Sequence, residues 1–140
     1  VIANKMTYIT PESRTLVAYD IDSGMQVWNF TALGTIGDSP AVTRSMVYFS
    51  SDDNHLYALD AITGEPWWNF TAQHKIGVTP AVADGIVYAG SLDKNLYAFN
   101  ATSGNLLLKI STGNCIWSTP SVVDGMVYIG SSDGYLYAVG

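Results

Sequence analysis

The chain has 140 residues, of which 48% are hydrophobic, and it carries a formal charge of −6 from twelve acidic and six basic side chains. Its lysines and arginines are scattered singly, which argues against nucleic acid as a partner because phosphate binding needs clustered positive charge. No apolar run approaches the roughly 18 residues of a membrane span, and the single cysteine excludes an intrachain disulfide.

The sequence repeats itself every 40 residues, without an insertion, along its whole length. The recurring positions hold tyrosine, alanine, glycine and proline: Tyr8, Tyr48, Tyr88 and Tyr128; Ala18, Ala58, Ala98 and Ala138; Gly24, Gly64 and Gly104; Pro40, Pro80 and Pro120. A fixed period of about 40 residues is typical of solenoids, propellers and arrays. We therefore predict a single segment of four units, at approximately residues 1–37, 38–77, 78–117 and 118–140.

Each unit consists of short extended runs separated by turn signals, which the third unit shows most clearly. Its runs lie at 79–83, 86–90, 96–99 and 106–110, and β-branched and aromatic residues favour strands there. The dipeptide Asp84-Gly85 predicts a two-residue hairpin turn. No unit shows the sustained apolar spacing that a helix would need.

Four antiparallel strands in about 40 residues form one blade of a β-propeller. We therefore predict an all-β fold, a β-propeller of about four blades, each a four-stranded antiparallel sheet. The fourth unit stops after its third run, so the last blade should lack its outer strand.

Two segments carry a motif that resembles a known family. Residues 18–28 and 58–68 both show alanine, aspartate, serine or threonine, and glycine at fixed spacing, followed by a tryptophan four residues after the glycine. This pattern is similar to the tryptophan-docking motif of pyrroloquinoline quinone (PQQ) repeat propellers, a family that includes outer-membrane assembly lipoproteins and cell-surface propellers. The docking residues that the resemblance implies are Asp20, Gly24, Trp28, Asp60, Gly64, Trp68, Asn100 and Gly104.

The resemblance implies a structural role for these residues. Trp28 and Trp68 should each pack against the neighbouring blade and donate the indole N–H there. The third copy has Asn100 in place of aspartate and Leu108 in place of tryptophan, which predicts a weaker contact. Family members typically carry seven or eight blades, so we expect this chain to be a segment that forms about half of a ring. Its open ends should expose apolar blade faces and favour a homodimer.

An enzymatic alternative follows from the same resemblance. Quinoprotein dehydrogenases hold PQQ and Ca²⁺ in the propeller funnel, on residues from loops that interrupt the repeat. This chain has no such insertion, and its two glutamates, Glu12 and Glu65, lie at repeat turns. We therefore predict no catalytic residues, no cofactor and no metal within these 140 residues.

Other polar residues have simpler interpretations. Asp52-Asp53-Asn54 aligns with turn residues of the other units, which favours a hairpin turn over a metal loop. His55 and His74 lie at non-equivalent repeat positions without a partner at zinc-ligand spacing. Of the Asn-x-Thr sequons at Asn29, Asn69 and Asn100, the first two are explained by internal duplication.

The loops that lead into the inner strands vary most between units. An isoleucine is kept in all three loops, whereas its neighbours change. We take Asp38, His74, Lys75, Asn114 and Trp117 as possible interaction residues. Trp117 replaces a glycine of the other units, and it either fills a gap in its own blade or contacts a partner.

The sequence as a whole favours a non-catalytic β-propeller scaffold that binds another protein or a surface polymer. The sequons and the lysine-poor surface favour an extracytoplasmic location, in the periplasm or at the cell surface. The alternative is a fragment of a PQQ-dependent dehydrogenase whose catalytic loops lie outside this segment.

Overall fold

A computed structural model describes residues 1–37 and 39–140 of the chain. In these residues fifteen strands form four antiparallel sheets, which we number 1 to 4 in chain order. Sheet 1 contains β1 (Ile2–Ala3), β2 (Met6–Glu12), β3 (Thr15–Asp20) and β4 (Gln26–Thr31). Sheet 2 contains β5 (Ala41–Val42), β6 (Met46–Ser50), β7 (His55–Asp60) and β8 (Pro66–Thr71).

The remaining two sheets follow the same order of strands. Sheet 3 contains β9 (Ala81–Ala83), β10 (Ile86–Gly90), β11 (Asn95–Asn100) and β12 (Leu106–Ser111). Sheet 4 contains β13 (Ser121–Val123), β14 (Met126–Gly130) and β15 (Leu136–Val139). Within each sheet every strand pairs with the next one in the chain, so every sheet is a meander, and sheet 4 has three strands. Within the described residues, no helix is long and apolar enough to cross a bilayer.

Local turn chemistry sets the register of the inner hairpins. Asp84 and Gly85 have φ values of 50° and 76°, and Asp124 and Gly125 have nearly the same values. Two consecutive residues with positive φ are typical of a type I′ turn, which matches the twist of the flanking strands. The strand predicted at 79–83 begins only at Ala81, because Pro80 has no backbone N–H to donate to a ladder.

A β-bulge recurs at one place in the outer hairpin of sheets 1 to 3. In sheet 2, Ala58 pairs with Trp68 but Leu59 pairs with Pro66, so Trp67 is the extra residue. The same shift follows Ala18 in sheet 1 and Ala98 in sheet 3. The bulge leaves Trp67 half exposed while Trp68 turns toward the next sheet.

The hydrophobic core lies between consecutive sheets rather than inside any one of them. One cluster joins sheets 1 and 2 around Tyr8, Leu16 and Phe49, and a second joins sheets 2 and 3 around Tyr48, Leu56 and Phe99. A smaller cluster joins sheets 3 and 4, with Leu96, Ile116, Val127 and Ile129 buried. Each sheet is therefore stable mainly through its neighbours, as expected for a repeat architecture.

Candidate functional site

The residues that the sequence singles out fall into two groups. One group lies at the junctions between sheets, where it joins one repeat to the next. The other lies on the loops that lead from one sheet into the inner strand of the following sheet.

The junctions begin with a tight turn after the third strand of each sheet. In sheet 2, one oxygen of the Asp60 carboxylate (Oδ1) accepts the backbone N–H groups of Ile62 and Thr63 at 2.8 and 2.9 Å. The hydrogen bond from the Thr63 backbone is the main cause that lowers the pKa of Asp60, with the bond from Ile62 adding to it. Gly64 closes the turn with a φ of 74°, a conformation that side chains disfavour.

A tryptophan from the preceding sheet lies directly on this turn. The Trp28 indole Nε1 donates to the Ala61 carbonyl at 3.1 Å. A Cβ atom placed on Gly64 would lie 2.5 Å from Trp28 Cδ2, so glycine is needed for the approach as well as for the φ value. We call this arrangement the tryptophan contact.

The tryptophan contact recurs at the next junction. Trp68 donates to the Ala101 carbonyl at 3.0 Å and lies over Gly104 in the same way. Asn100 stands where Asp60 stands in the preceding repeat, and its Oδ1 accepts the N–H groups of Thr102 and Ser103 at 3.0 and 2.9 Å. The amide therefore supports the turn with the same bonds as the carboxylate.

The first copy of the motif has the turn without the contact. Asp20 Oδ1 accepts the Ser23 N–H and hydroxyl at 2.7 and 2.8 Å, and these two bonds, the backbone one foremost, lower its pKa. A Cβ on Gly24 would meet no atom within 4 Å. At the far end, Leu108 occupies the tryptophan position and is partly exposed.

A buried tyrosine supports each tryptophan. The Tyr8 hydroxyl donates to the Ala61 carbonyl at 3.0 Å, and the Tyr48 hydroxyl donates to the Ala101 carbonyl at 2.9 Å. The ring centroids of Tyr48 and Trp68 lie 5.9 Å apart. Burial raises the pKa of Tyr48 to about 12, which is the direction expected for a phenol whose charged form would lose its hydration.

A second link between sheets was missed at the sequence level. Asp53 Oδ2 accepts the Tyr57 hydroxyl at 2.7 Å and also the Leu33 N–H at 3.2 Å, from the loop that leaves sheet 1. Asp93 bonds Tyr97 and the Gln73 N–H in the same way, and Asp133 bonds Tyr137 and the Gly113 N–H. The repeated Asp-x-x-x-Tyr spacing was the signal that could have shown it.

Three of the predicted loop residues make short-range polar contacts. The His74 Nδ1 accepts the Lys75 N–H at 3.0 Å, and the Lys75 ammonium lies 3.4 Å from the Asp52 carboxylate. The Asn114 side chain accepts the Cys115 N–H at 2.8 Å. Asp38, the remaining predicted loop residue, lies outside the described residues.

Trp117 differs from the other loop residues because its ring faces solvent. It is 57% exposed, and a Cβ added to Gly77 of the preceding loop would lie 3.8 Å from its Cζ3, in ordinary van der Waals contact. More than half of the Trp117 surface therefore remains open to solvent. Beside it lies an open groove of about 290 Å³ lined by Trp117, Ser118, Gly130, Ser131 and Ser132.

His55 is held by hydrogen bonds on both ring nitrogens. Its Nδ1 lies 2.9 Å from the Asp53 carbonyl oxygen, and its Nε2 lies 2.9 Å from the Thr71 hydroxyl. The ring stacks on Tyr57 with centroids 5.4 Å apart. Among the described residues, no group of three or more histidine, cysteine, aspartate or glutamate side chains is placed to hold a metal ion.

Stacked antiparallel sheets of three or four strands that are joined in this manner define an all-β propeller, as predicted. The family model described as outer membrane protein assembly factor BamB matches residues 1–77 and again residues 63–140. The chain therefore belongs to this family of PQQ-like repeat propellers. No match was found among curated proteins.

Solved structures agree with this assignment. BamB from Moraxella catarrhalis superposes with a TM-score of 0.78 at 25% identity, over 98% of this chain and 46% of that one. The computationally designed protein Ika4 superposes with a TM-score of 0.87 at 16% identity, over 99% of this chain and 86% of that one. A europium-containing methanol dehydrogenase superposes with a TM-score of 0.70 at 17% identity, over 79% of this chain and 24% of that one. The chain thus spans less than half the length of the BamB that it matches.

Proposed function

We propose that this chain is a non-catalytic propeller scaffold that binds a protein partner or a surface polymer outside the cytoplasm. Membership in a family described as an outer membrane assembly factor supports an interaction role and a location at the cell envelope. Copies of the chain are further proposed to associate with each other through their terminal sheets.

The observation that supports this proposal is that the repeated residues lie at the junctions between sheets, whereas a residue that departs from the repeat is exposed on a loop. The repeated aspartates, glycines, tyrosines and tryptophans join the sheets to one another. Trp117, in contrast, breaks the repeat and exposes a large aromatic ring beside a groove. Aromatic side chains in such settings are frequent hot spots of binding surfaces.

Site-specific photo-crosslinking tests this role. A photoreactive residue is placed at Trp117 and, as a control, at Leu107, which is 54% exposed on the outer strand of sheet 3 and so is matched to Trp117 at 57%. We expect a discrete adduct in intact cell envelopes from position 117, and competition by excess unlabelled protein. Equal labelling from both positions, or none, would contradict the proposal.

The dehydrogenase alternative is compatible with the superposition on the europium-containing methanol dehydrogenase, which shows a shared fold alone. It is tested by titrating the protein with PQQ in the presence of Ca²⁺ and then of Eu³⁺, while following tryptophan fluorescence. The scaffold proposal expects only the linear attenuation caused by absorption of PQQ. A saturable quench that is lost in Trp117→Ala would favour the alternative.

A further inference from the structure

The sequons at Asn29 and Asn69 lie on the outer strands of sheets 1 and 2. Among the described residues, each of these strands pairs with one neighbour only, β4 with β3 and β8 with β7. The two strands are therefore the open edges of their sheets. Neither asparagine takes part in the tryptophan contact or lines the groove beside Trp117.

Strand geometry places both essential residues of each sequon on the same side of its sheet. Side chains alternate between the two faces of a strand, and the middle residues, Phe30 and Phe70, pack against the clusters between the sheets. The asparagine and the threonine that flank each phenylalanine consequently face away from that cluster, and all four are exposed. Duplication explains that the sequon occurs twice, and the fold adds that both copies are open to solvent.

The exposure of Asn69 does not depend on its place in the row of sheets. Sheet 2 has sheet 1 packed on one face and sheet 3 on the other, and Asn69 is exposed all the same. Lys109 holds the equivalent position in sheet 3, which also has a sheet on each face, and it is exposed too. This repeat position, which Asn29 occupies in sheet 1, is therefore accessible with neighbours on both faces.

The edge at this position carries apolar side chains that need protection. Val27, Trp67 and Leu107, two residues before it in the three sheets, are each about half exposed. An open edge strand with exposed apolar residues favours pairing with another chain, and natural proteins often place a lysine there. Sheet 3 has that lysine, Lys109, whereas sheets 1 and 2 have a sequon. A glycan is bulky and solubilising, so it would protect the edge as the lysine does.

We propose that Asn29 and Asn69 are N-glycosylated, each on its side-chain amide. The donor is a lipid-linked oligosaccharide, whose first sugar is joined through C1 to a polyprenyl phosphate or diphosphate. The asparagine Nδ2 forms a bond to C1 while the bond from C1 to the phosphate oxygen breaks. The lipid phosphate leaves and the amide gives up one proton, without any oxidation or reduction. A transferase of the cell envelope that recognises Asn-x-Thr catalyses this step, so the inference rests on the proposed extracytoplasmic location.

The third sequon has a different explanation. Asn100 Oδ1 accepts the backbone N–H groups of Thr102 and Ser103, in a turn where Asp60 makes the equivalent bonds one repeat earlier. The turn therefore accounts for Asn100 without a glycan, and the proposal does not include it.

The intact mass of the full-length protein, purified from the envelope of its own cells, tests the proposal. We expect a mass that exceeds that of the polypeptide by two oligosaccharide increments. Asn29→Gln and Asn69→Gln should each lose one increment, and the double variant should lose both. Thr71→Ser preserves a sequon and should keep its increment, whereas Thr71→Val should lose it.

Sheet 3 offers a matched control at the same repeat position. Lys109→Asn creates the sequon Asn-Ile-Ser there, and we expect it to gain a third increment. Asn100→Asp keeps an oxygen for the turn but removes the third sequon, and it should leave the increments unchanged. Circular dichroism on each variant checks that the sheets are retained.

Two mass results would overturn the proposal. One is a wild-type mass equal to that of the polypeptide, and the other is an increment that persists in the double variant but disappears in Asn100→Asp. Location is measured separately, by protease treatment of spheroplasts. A protein that is accessible to protease but unmodified overturns glycosylation and leaves the scaffold function standing. A protein that is shielded from protease overturns both the proposed location and the glycosylation.

Discussion

At the junction between sheets 2 and 3, a single oxygen atom of Ala101 accepts both of the side-chain hydrogen bonds that join the tyrosine and the tryptophan to the next sheet. Its carbonyl oxygen accepts two hydrogen bonds from the preceding sheet, one from the Tyr48 hydroxyl and one from the Trp68 indole. A carbonyl oxygen has two lone pairs, so both bonds can form at once. The side chain at position 101 takes no part in this.

Two adjacent tryptophans allow the indole hydrogen bond to be measured. Trp68→Phe keeps an aromatic ring but removes the N–H, and we expect the free energy of unfolding to fall by about 1–2 kcal/mol. Trp67→Phe replaces the neighbouring bulge residue, which is half exposed. It should change the free energy of unfolding by less than about 0.5 kcal/mol. Urea unfolding of both variants gives the comparison. Equal losses would show that the Trp68 bond contributes nothing specific.

At the scale of the element, the turn after the third strand is constrained both by backbone conformation and by packing against the preceding sheet. Gly24 and Gly64 occupy the same repeat position with φ values of 70° and 74°. Only Gly64 lies beneath a tryptophan. The pair therefore separates the strain of a positive φ from the effect of the contact.

Alanine at these two glycines should give different losses of stability. Gly24→Ala should cost about 1–2 kcal/mol, the strain of a side chain in the left-handed region. Gly64→Ala adds a clash with the Trp28 ring and should cost about 1–3 kcal/mol more, as overpacking does. Chemical unfolding of the two variants measures both. If the losses are the same, Trp28 moves aside freely and the tryptophan contact does not stabilise the junction.

The link between the β6–β7 hairpin and the preceding loop predicts a loss of stability in acid. Burial acts to raise the pKa of Asp53, but hydrogen bonds from Tyr57, His55 and Ser51 outweigh burial and hold the pKa below its ordinary value. The pKa of Asp133 is lowered in the same way, against the effect of burial, by bonds from Tyr137, Tyr135 and Gly113. A carboxylate whose pKa is depressed on folding stabilises the protein above the pKa of the unfolded chain, about 3.9.

We therefore expect the free energy of unfolding to decrease as the pH falls below about 4, through the depressed pKa values of the folded state. Urea unfolding at neutral pH and at successively lower pH measures the slope. Asp53→Asn, which does not titrate, should reduce that slope and leave a smaller one from the remaining carboxylates. An unchanged slope in the variant would contradict a role for Asp53.

Particular residues show what sequence alone could predict at this scale. Asp84-Gly85 gives its hairpin because a type I′ turn depends only on those two residues and the strands beside them. Asp53 was predicted as a turn residue, and its bond to the Leu33 N–H was not foreseen. That bond spans 20 residues and two sheets, so it depends on how the sheets stack rather than on local conformation.

Trp117 marks the limit of prediction at the candidate site. The sequence showed that a tryptophan replaces glycine, but it left open whether the ring fills a gap or faces outward. The structure turns the ring to solvent beside Ser131. The direction of a loop side chain depends on space left by its neighbours, which no repeat pattern encodes.

At the scale of the whole molecule, stability is unevenly distributed along the row of sheets. The first two junctions each carry a tryptophan contact and a large buried cluster. The third has Leu108 in place of tryptophan and a buried cluster of four residues. Because each sheet contacts only its neighbours, such differences stay local in repeat proteins.

Amide hydrogen exchange should reveal this gradient directly. We expect the amides of β14 in sheet 4 to exchange faster than the equivalent amides of β6 and β10, because sheet 4 opens without the others. Exchange of the wild-type protein is measured below the concentration at which copies associate. Uniform protection across the four sheets would show that the chain unfolds as one unit.

The shared carbonyls of Ala61 and Ala101 have a consequence for how such a chain can change over generations. Every residue of a polypeptide has a backbone carbonyl that can accept these bonds. The position of the acceptor is therefore set by its separation along the chain, 33 residues after the tryptophan and 53 after the tyrosine. The two hydrogen bonds do not depend on which side chain the acceptor residue carries, whereas insertion of one residue in between shifts every later partner. A gene of this kind can therefore lengthen or shorten by whole repeats, since each new repeat brings its own donors and its own acceptor.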